Sequence, residues 1–262
     1  MAQKNSAGTT AWKVIVSVLV TLLILLFIVE FGARWFTAKQ MTDEYRAQAA
    51  ADGIEATKDP EISFGPTPLI FGLVRGEIPH VAMDMPSTLK IQDQQILGQP
   101  ETRIAMDNMT MSEDPVARDF AATTVIPDEF LLVTFQNAIA EQSGNRQLGN
   151  LVVTDITTSE EEGALNFQLG KGLATVTLVP SAANGQIELA AINSTLFGIQ
   201  LPDEATAALS DALRDGISND FTGNLDVEDI TVGQGALSVT VSGHNVRFNE
   251  LSKQLDDAPV RN

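Results

Sequence analysis

Ile126-Pro127-Asp128-Glu129 opens an apolar-periodic run that continues to Ile139. Gly149-Asn150-Leu151-Val152-Val153-Thr154-Asp155-Ile156-Thr157 follows, and after Gly163-Ala164-Leu165 comes Asn166-Phe167-Gln168-Leu169-Gly170. The same landmarks return in the same order further on. Leu201-Pro202-Asp203-Glu204 precedes a periodic run to Ile217, then Gly223-Asn224-Leu225-Asp226-Val227-Glu228-Asp229-Ile230-Thr231, then Gly235-Ala236-Leu237 and Ser238-Val239-Thr240-Val241-Ser242-Gly243. The offset is 75 at the proline, 74 at Gly-Asn-Leu and 72 at Gly-Ala-Leu. Conserved order at near-constant spacing marks an internal duplication.

Each copy reads as a helix followed by a hairpin. Proline suits the first turn of a helix, and the two acids complement its positive end. In the first helix Phe130, Leu131, Leu132, Val133, Phe135 and Ile139 leave little polar surface. In the second, Ala205, Ala208, Leu209, Ala212, Leu213 and Ile217 form one stripe opposite Asp211, Arg214 and Asp215. Period-two alternation through 151–157 and 237–242 predicts strands. Glu160-Glu161-Glu162-Gly163 and Gly233-Gln234-Gly235 read as the turns. Further strand candidates are Glu61 to Phe64, Ile78 to Met85, Thr102 to Thr110, Leu173 to Val179 and Gln186 to Phe197. Together these predict an α+β domain with a mainly antiparallel sheet.

Upstream, Val14 to Val29 carries no charge. From Trp12 to Phe36 a helix would run about 37 Å, enough to cross a hydrocarbon core of about 30 Å. Trp12 and Trp35 fall where interfacial indoles are favoured. A cleaved signal peptide has a shorter apolar core and small residues before the cut, whereas Phe36 stands at the natural exit here, so the segment reads as an uncleaved signal anchor. The expected division is a cytoplasmic N-terminus at 1–11, a transmembrane helix at 12–36, a folded domain at 37–250 and a tail at 251–262. Thr42 to Ala51 is rich in helix formers and ends at Gly53, as a stalk or first domain helix would.

The chain has 262 residues and a net charge of −18, with two histidines and no cysteine. Three basic and one acidic residue lie before position 37, leaving 13 basic and 33 acidic residues in the remainder. Phosphate backbones would be repelled, so no nucleic-acid partner is expected. Without Cys there is no disulfide, thiol nucleophile or thiolate metal site. No G-x-S-x-G, H-E-x-x-H, P-loop or Rossmann glycine pattern is present. His80 and His244 read as strand-end residues, the many carboxylates as solvated surface, and Glu160-Glu161-Glu162 as a charged turn rather than a calcium loop. No cofactor, metal or enzymatic activity is expected.

One segment is unusual. Phe64-Gly65-Pro66-Thr67-Pro68-Leu69-Ile70-Phe71-Gly72-Leu73-Val74-Arg75-Gly76 sets a short apolar run between Pro/Gly clusters and is too short to span a bilayer. It suits either a buried helical turn plugging one end of the sheet or an apolar lip that touches lipid. Together with Ile78-Pro79-His80-Val81 and the later Pro-Asp-Glu helix, Gly-Asn-Leu and hairpin, it resembles the actinobacterial LmeA-like phospholipid-binding proteins across roughly residues 40–248. The resemblance implies a curved antiparallel sheet wrapped around helices, akin to tubular lipid-binding domains. It also implies a cell-envelope protein binding phospholipid, including phosphatidylinositol-type lipids, in an apolar cavity. A relative in that family supports mannan elongation on lipoglycans with a membrane mannosyltransferase.

The expectation is therefore a single-pass, non-enzymatic lipid-binding domain on the extracytoplasmic, periplasmic side of the cell membrane. Acyl chains would lie among Phe64, Leu69, Ile70, Phe71, Leu73, Val74, Phe130, Leu132, Phe135, Leu196 and Phe197, with Arg75 as the cation for a lipid phosphate. Its partners would be phospholipid, the cytoplasmic membrane and a membrane glycosyltransferase. The alternative is a scaffolding module that binds such a glycosyltransferase without a lipid cavity.

Overall fold

The computed structural model describes residues 7–51, 53–54, 58–202, 204–206 and 225–250, with the backbone alone at 7–16 and 18. A single helix, α1 (Ala7–Ala51), forms the first 45 of these residues and is about 67 Å long. It crosses the expected boundary at 36 without a break. No proline interrupts it, and Gly32, its one glycine past the start, has open space around it. The helix stops where Gly53 turns to φ +72°, and the Gly53 and Ile54 amides donate to the Ala50 and Ala49 carbonyls. The part from Leu19 onward is long and apolar enough to cross a membrane, and no residue of its most apolar stretch is buried. Phe31 and Trp35 are 70% and 66% exposed.

Two antiparallel sheets make the domain. The first holds β1 (Glu61–Ser63), β2 (Glu77–Met85), β5 (Glu101–Thr110), β6 (Val116–Pro127), β12 (Asp226–Val232) and β13 (Ala236–Arg247), in the order β1-β2-β5-β6-β13-β12. The second holds β7 (Val153–Ser159), β8 (Ala164–Leu169), β9 (Ala174–Ala183), β10 (Gln186–Leu196) and β11 (Ile199–Gln200), in the order β11-β10-β9-β8-β7. A small hairpin, β3 (Lys90–Gln92) and β4 (Gln95–Leu97), stands apart. The helices are α2 (Leu69–Arg75), α3 (Asp128–Ser143) and α4 (Arg146–Val152). The α+β class and the curved, mainly antiparallel sheets agree with expectation.

One face of the six-stranded sheet carries both hydrophobic cores. Alternate positions of β6 (Phe120, Ala122, Ile126) and β13 (Leu237, Val239, Val241) point to that face. At one end they pack with Val81, Met106, Leu69 of α2 and Ala38 and Met41 of α1. At the other end they meet Leu131 and Leu132 of α3 and Val153, Ile156, Phe167 and Leu178 of the five-stranded sheet.

The periodicity does not mark the short strands β3, β4 and β11, nor the long β6. Its run of Ala121-Ala122-Thr123-Thr124 lacks bulky alternation, yet it lies at the centre of the sheet between β5 and β13. Leu151 and Val152, expected in a strand, instead end α4, and β7 starts at Val153. The two hairpins of the duplication both form. Each bulges at the equivalent place, between Val153 and Asp155 and between Val227 and Asp229. They lie in different sheets, however, and most of the second helix, with Asp203, lies outside the described residues. The duplication therefore stays a relation between sequences.

Candidate functional site

The site is built where α1 enters the domain. Glu30 and Arg34 are one turn apart, and the Arg34 Nε donates to Glu30 Oε1 at 2.5 Å. The same guanidinium donates to the carbonyls of Phe64 at 2.7 Å, Gly65 at 3.0 Å and Thr67 at 3.1 Å. The Glu30 carboxylate accepts the Leu69 and Ile70 amides at 2.8 and 3.1 Å. It therefore serves as the cap that Pro68, the N-cap residue of α2, cannot supply from its own side chain. A carboxylate and a guanidinium from the apolar helix thus hold the whole Phe64–Ile70 segment.

α2 is short and two-sided. Leu69 and Gly72 are buried, and a Cβ on Gly72 would sit 2.3 Å from the Glu77 carbonyl oxygen and 2.5 Å from Pro79 Cδ. Gly72→Ala is expected to lift α2 from β2 and cost about 2 kcal/mol, read as a lower midpoint in denaturation of the detergent-solubilised chain. The opposite side shows Phe71, Leu73 and Val74, the last 83% exposed, with Arg75 exposed in the final turn.

Beyond this junction the helix lies over the sheet, and a cavity of about 310 Å³ opens between them. Its walls are Met41 and Ala49 of α1, Met83 and Met85 of β2, Met106 and Met109 of β5, Pro115 and Phe248. Five of the seven methionines of the chain meet here. Methionine fills irregular space and adapts to different apolar occupants. Glu44, Tyr45, Gln48, Thr88 and Gln99 also line it, and no basic residue does. The Tyr45 hydroxyl donates to the Pro86 carbonyl at 3.0 Å and ties α1 to the end of β2. Arg46 pairs with Asp59 at 2.6 Å one residue further on.

The residues expected to hold acyl chains divide into three groups, and none lines this cavity. Phe64 and Leu69 are buried in the first core, with Ile70 half-buried beside them. Phe71, Leu73, Val74 and Arg75 form the exposed side of α2. The others are remote in the fold. Leu132 packs in the second core, Phe130 is half-buried in α3, and Phe135 stacks edge-on with Phe167 at 5.2 Å. Leu196 and Phe197, the latter 70% exposed, turn between β10 and β11. The methionines carry a signal in the sequence as well: two pairs, Met83 and Met85, Met106 and Met109, in strands that pair with each other.

The histidines lie on the other face of the sheet. His80, Asp107, Asp119 and His244 form one row across β2, β5, β6 and β13. Each His Nδ1 lies 2.7 Å from an Asp Oδ1, His80 with Asp107 and His244 with Asp119. A carboxylate only accepts, so Nδ1 carries the proton. Asp107 and Asp119 are direct cross-strand partners, and each of these two like charges is given a donor by the histidine on its outer side. Among the described residues no group of three or more His, Asp or Glu converges as a metal site would.

An apolar helix of membrane-spanning length that continues into a domain with an open, methionine-lined apolar pocket fits a membrane-anchored lipid-binding protein. The chain matches the family model described as LmeA-like phospholipid-binding over residues 28–254, and it belongs to that family. No curated protein and no solved structure matches it.

Proposed function

We propose that the protein takes one acyl chain of a phospholipid into the methionine-lined cavity while α1 holds it to the membrane. The observation that carries this is the cavity itself, because one of its walls is the extension of the membrane helix. Its volume lies at the lower end of the range for small-molecule pockets, which suits a single chain rather than a whole two-chain lipid. The polar lining consists of carboxylate, amide and hydroxyl groups. Such groups suit the hydroxyls of a polyol headgroup better than a bare phosphate, which supports a phosphatidylinositol-type lipid. Placement of the acidic domain on the extracytoplasmic side, a role in lipoglycan (mannan) assembly and a glycosyltransferase partner follow from the resemblance described above. The reading includes no catalytic step.

The test is native mass spectrometry of the full chain released from nanodiscs containing phosphatidylinositol and phosphatidylcholine. Met83→Trp, which fills the cavity from its half-buried wall, is expected to lower retained lipid at least tenfold. Met83→Leu conserves volume and is expected to retain it. Equal retention by the Trp variant, or no lipid on the unaltered chain, would sink the proposal.

A further inference from the structure

We infer that α2 is an interfacial wedge, with Phe71, Leu73 and Val74 seated in the bilayer leaflet that adjoins the domain. The inference rests on the anchor reading of α1 and is independent of what the cavity holds. α2 has no freedom to stand away from the membrane helix. Its first two amides are bonded to Glu30, and the loop before it is bonded to Arg34. It is therefore fixed at the depth of residues 30–34. α1 is still apolar and uncovered at that depth and beyond it, with Phe31, Trp35 and Phe36 at 70%, 66% and 63% exposed. Trp35 on such a surface marks the membrane–water interface. The lipid that covers these three side chains must then also reach α2, one helix diameter away.

The chemistry of α2 fits that position. Its outward side is apolar, its inward side is closed by Leu69 and Gly72 on β2, and Arg75 ends it. An arginine at the rim of an inserted apolar surface extends its guanidinium to the lipid phosphates. The side chains of Phe71, Leu73 and Val74 add little to the buried core, so water-exposed placement would leave them as unexplained apolar surface. Helical rise puts Tyr45, in the cavity wall, about 22 Å further along α1 than Glu30. The wedge thus enters the leaflet, while the cavity stands above it on the same helix. These residues accordingly contact bilayer lipid rather than cargo.

The chain has no cysteine, so single labels can be placed without altering it otherwise. Val74→Cys and Leu73→Cys carry an environment-sensitive NBD probe in the full chain, reconstituted in phosphatidylcholine vesicles with one-fifth phosphatidylglycerol. Lys90→Cys, exposed on the β3–β4 hairpin that is bonded to α3 through Gln94, is the reference. The expected result is blue-shifted emission at 74 and 73 and quenching by shallow spin-labelled lipid at least threefold stronger than at 90. Water-like emission at both positions, quenched no more than at 90, would overturn the inference. Bound lipid is measured on the same samples by mass spectrometry, so an unembedded α2 on a lipid-loaded protein rejects the wedge alone.

Discussion

Arg34→Ala is expected to destabilise the domain by about 3 kcal/mol, seen as a lower midpoint when the detergent-solubilised full chain is unfolded in urea and followed by β-sheet circular dichroism. The guanidinium makes four hydrogen bonds, three of them to backbone carbonyls of the Phe64–Thr67 segment. Hydrogen bonds involving a charged group contribute about 1.5–3 kcal/mol each, but they are not additive here and Arg34 is 28% exposed, so the total stays well below the sum of four and near the value of one or two such bonds. The loss also leaves Glu30, only 12% exposed, without its counter-charge. Glu30→Gln should cost about half as much, because its single acceptor oxygen can cap one of the two amides at Leu69 and Ile70 but not both. If Arg34→Ala left the midpoint unchanged, the clamp would have no structural role, and the fixed depth of α2 would lose its basis.

Gly149→Ala is expected to cost about 3 kcal/mol or to prevent folding, measured by the same unfolding experiment. A Cβ at 149 would lie 2.1 Å from the Gln136 carbonyl oxygen and 2.9 Å from its carbonyl carbon, so backbone rather than a flexible side chain must move. α3 and α4 cross there at the distance only glycine permits. The neighbouring contacts depend on that crossing. Gln136 Nε2 donates to the Val153 carbonyl at 2.8 Å, and Gln94 from the β3–β4 hairpin bridges Gln136 and Asn150. An Ala substitution at Gly163, in the exposed β7–β8 turn, meets nothing within 4 Å but carries a positive φ. It should cost about 1 kcal/mol, separating backbone strain from steric exclusion. Equal effects at the two positions would refute the close-crossing account.

These two residues also show how far the sequence could be read. Gly149-Asn150-Leu151 stands out in the sequence as a landmark that recurs at Gly223-Asn224-Leu225. Its reason was not visible. The glycine is required by a helix crossing and the asparagine by a glutamine 56 residues earlier, and a linear pattern registers neither. Glu30 and Arg34 read as flanking charges of an apolar run. Only the folded chain brings the carbonyls of 64, 65 and 67 to the guanidinium. Apolarity is the common mark of the candidate lipid residues, and core, lip and cavity share it. The fold distributed them between core and surface and built the cavity from methionines instead.

Sequence by itself determined the elements whose signal is local. It set the membrane-length helix through an uncharged run, most strands through alternation, α3 through Pro-Asp-Glu, and the absence of thiol chemistry through composition. It also carried the family resemblance, because that lies in short motifs kept in order. Tertiary structure alone decided where β6 sits, which sheet each hairpin joins, and that the anchor continues into the domain as the wall of a cavity. Those outcomes depend on pairings between residues far apart in the chain. Their free energy comes from burying one sheet face against α1, α2 and α3 together, and no window of sequence contains both sides of that contact.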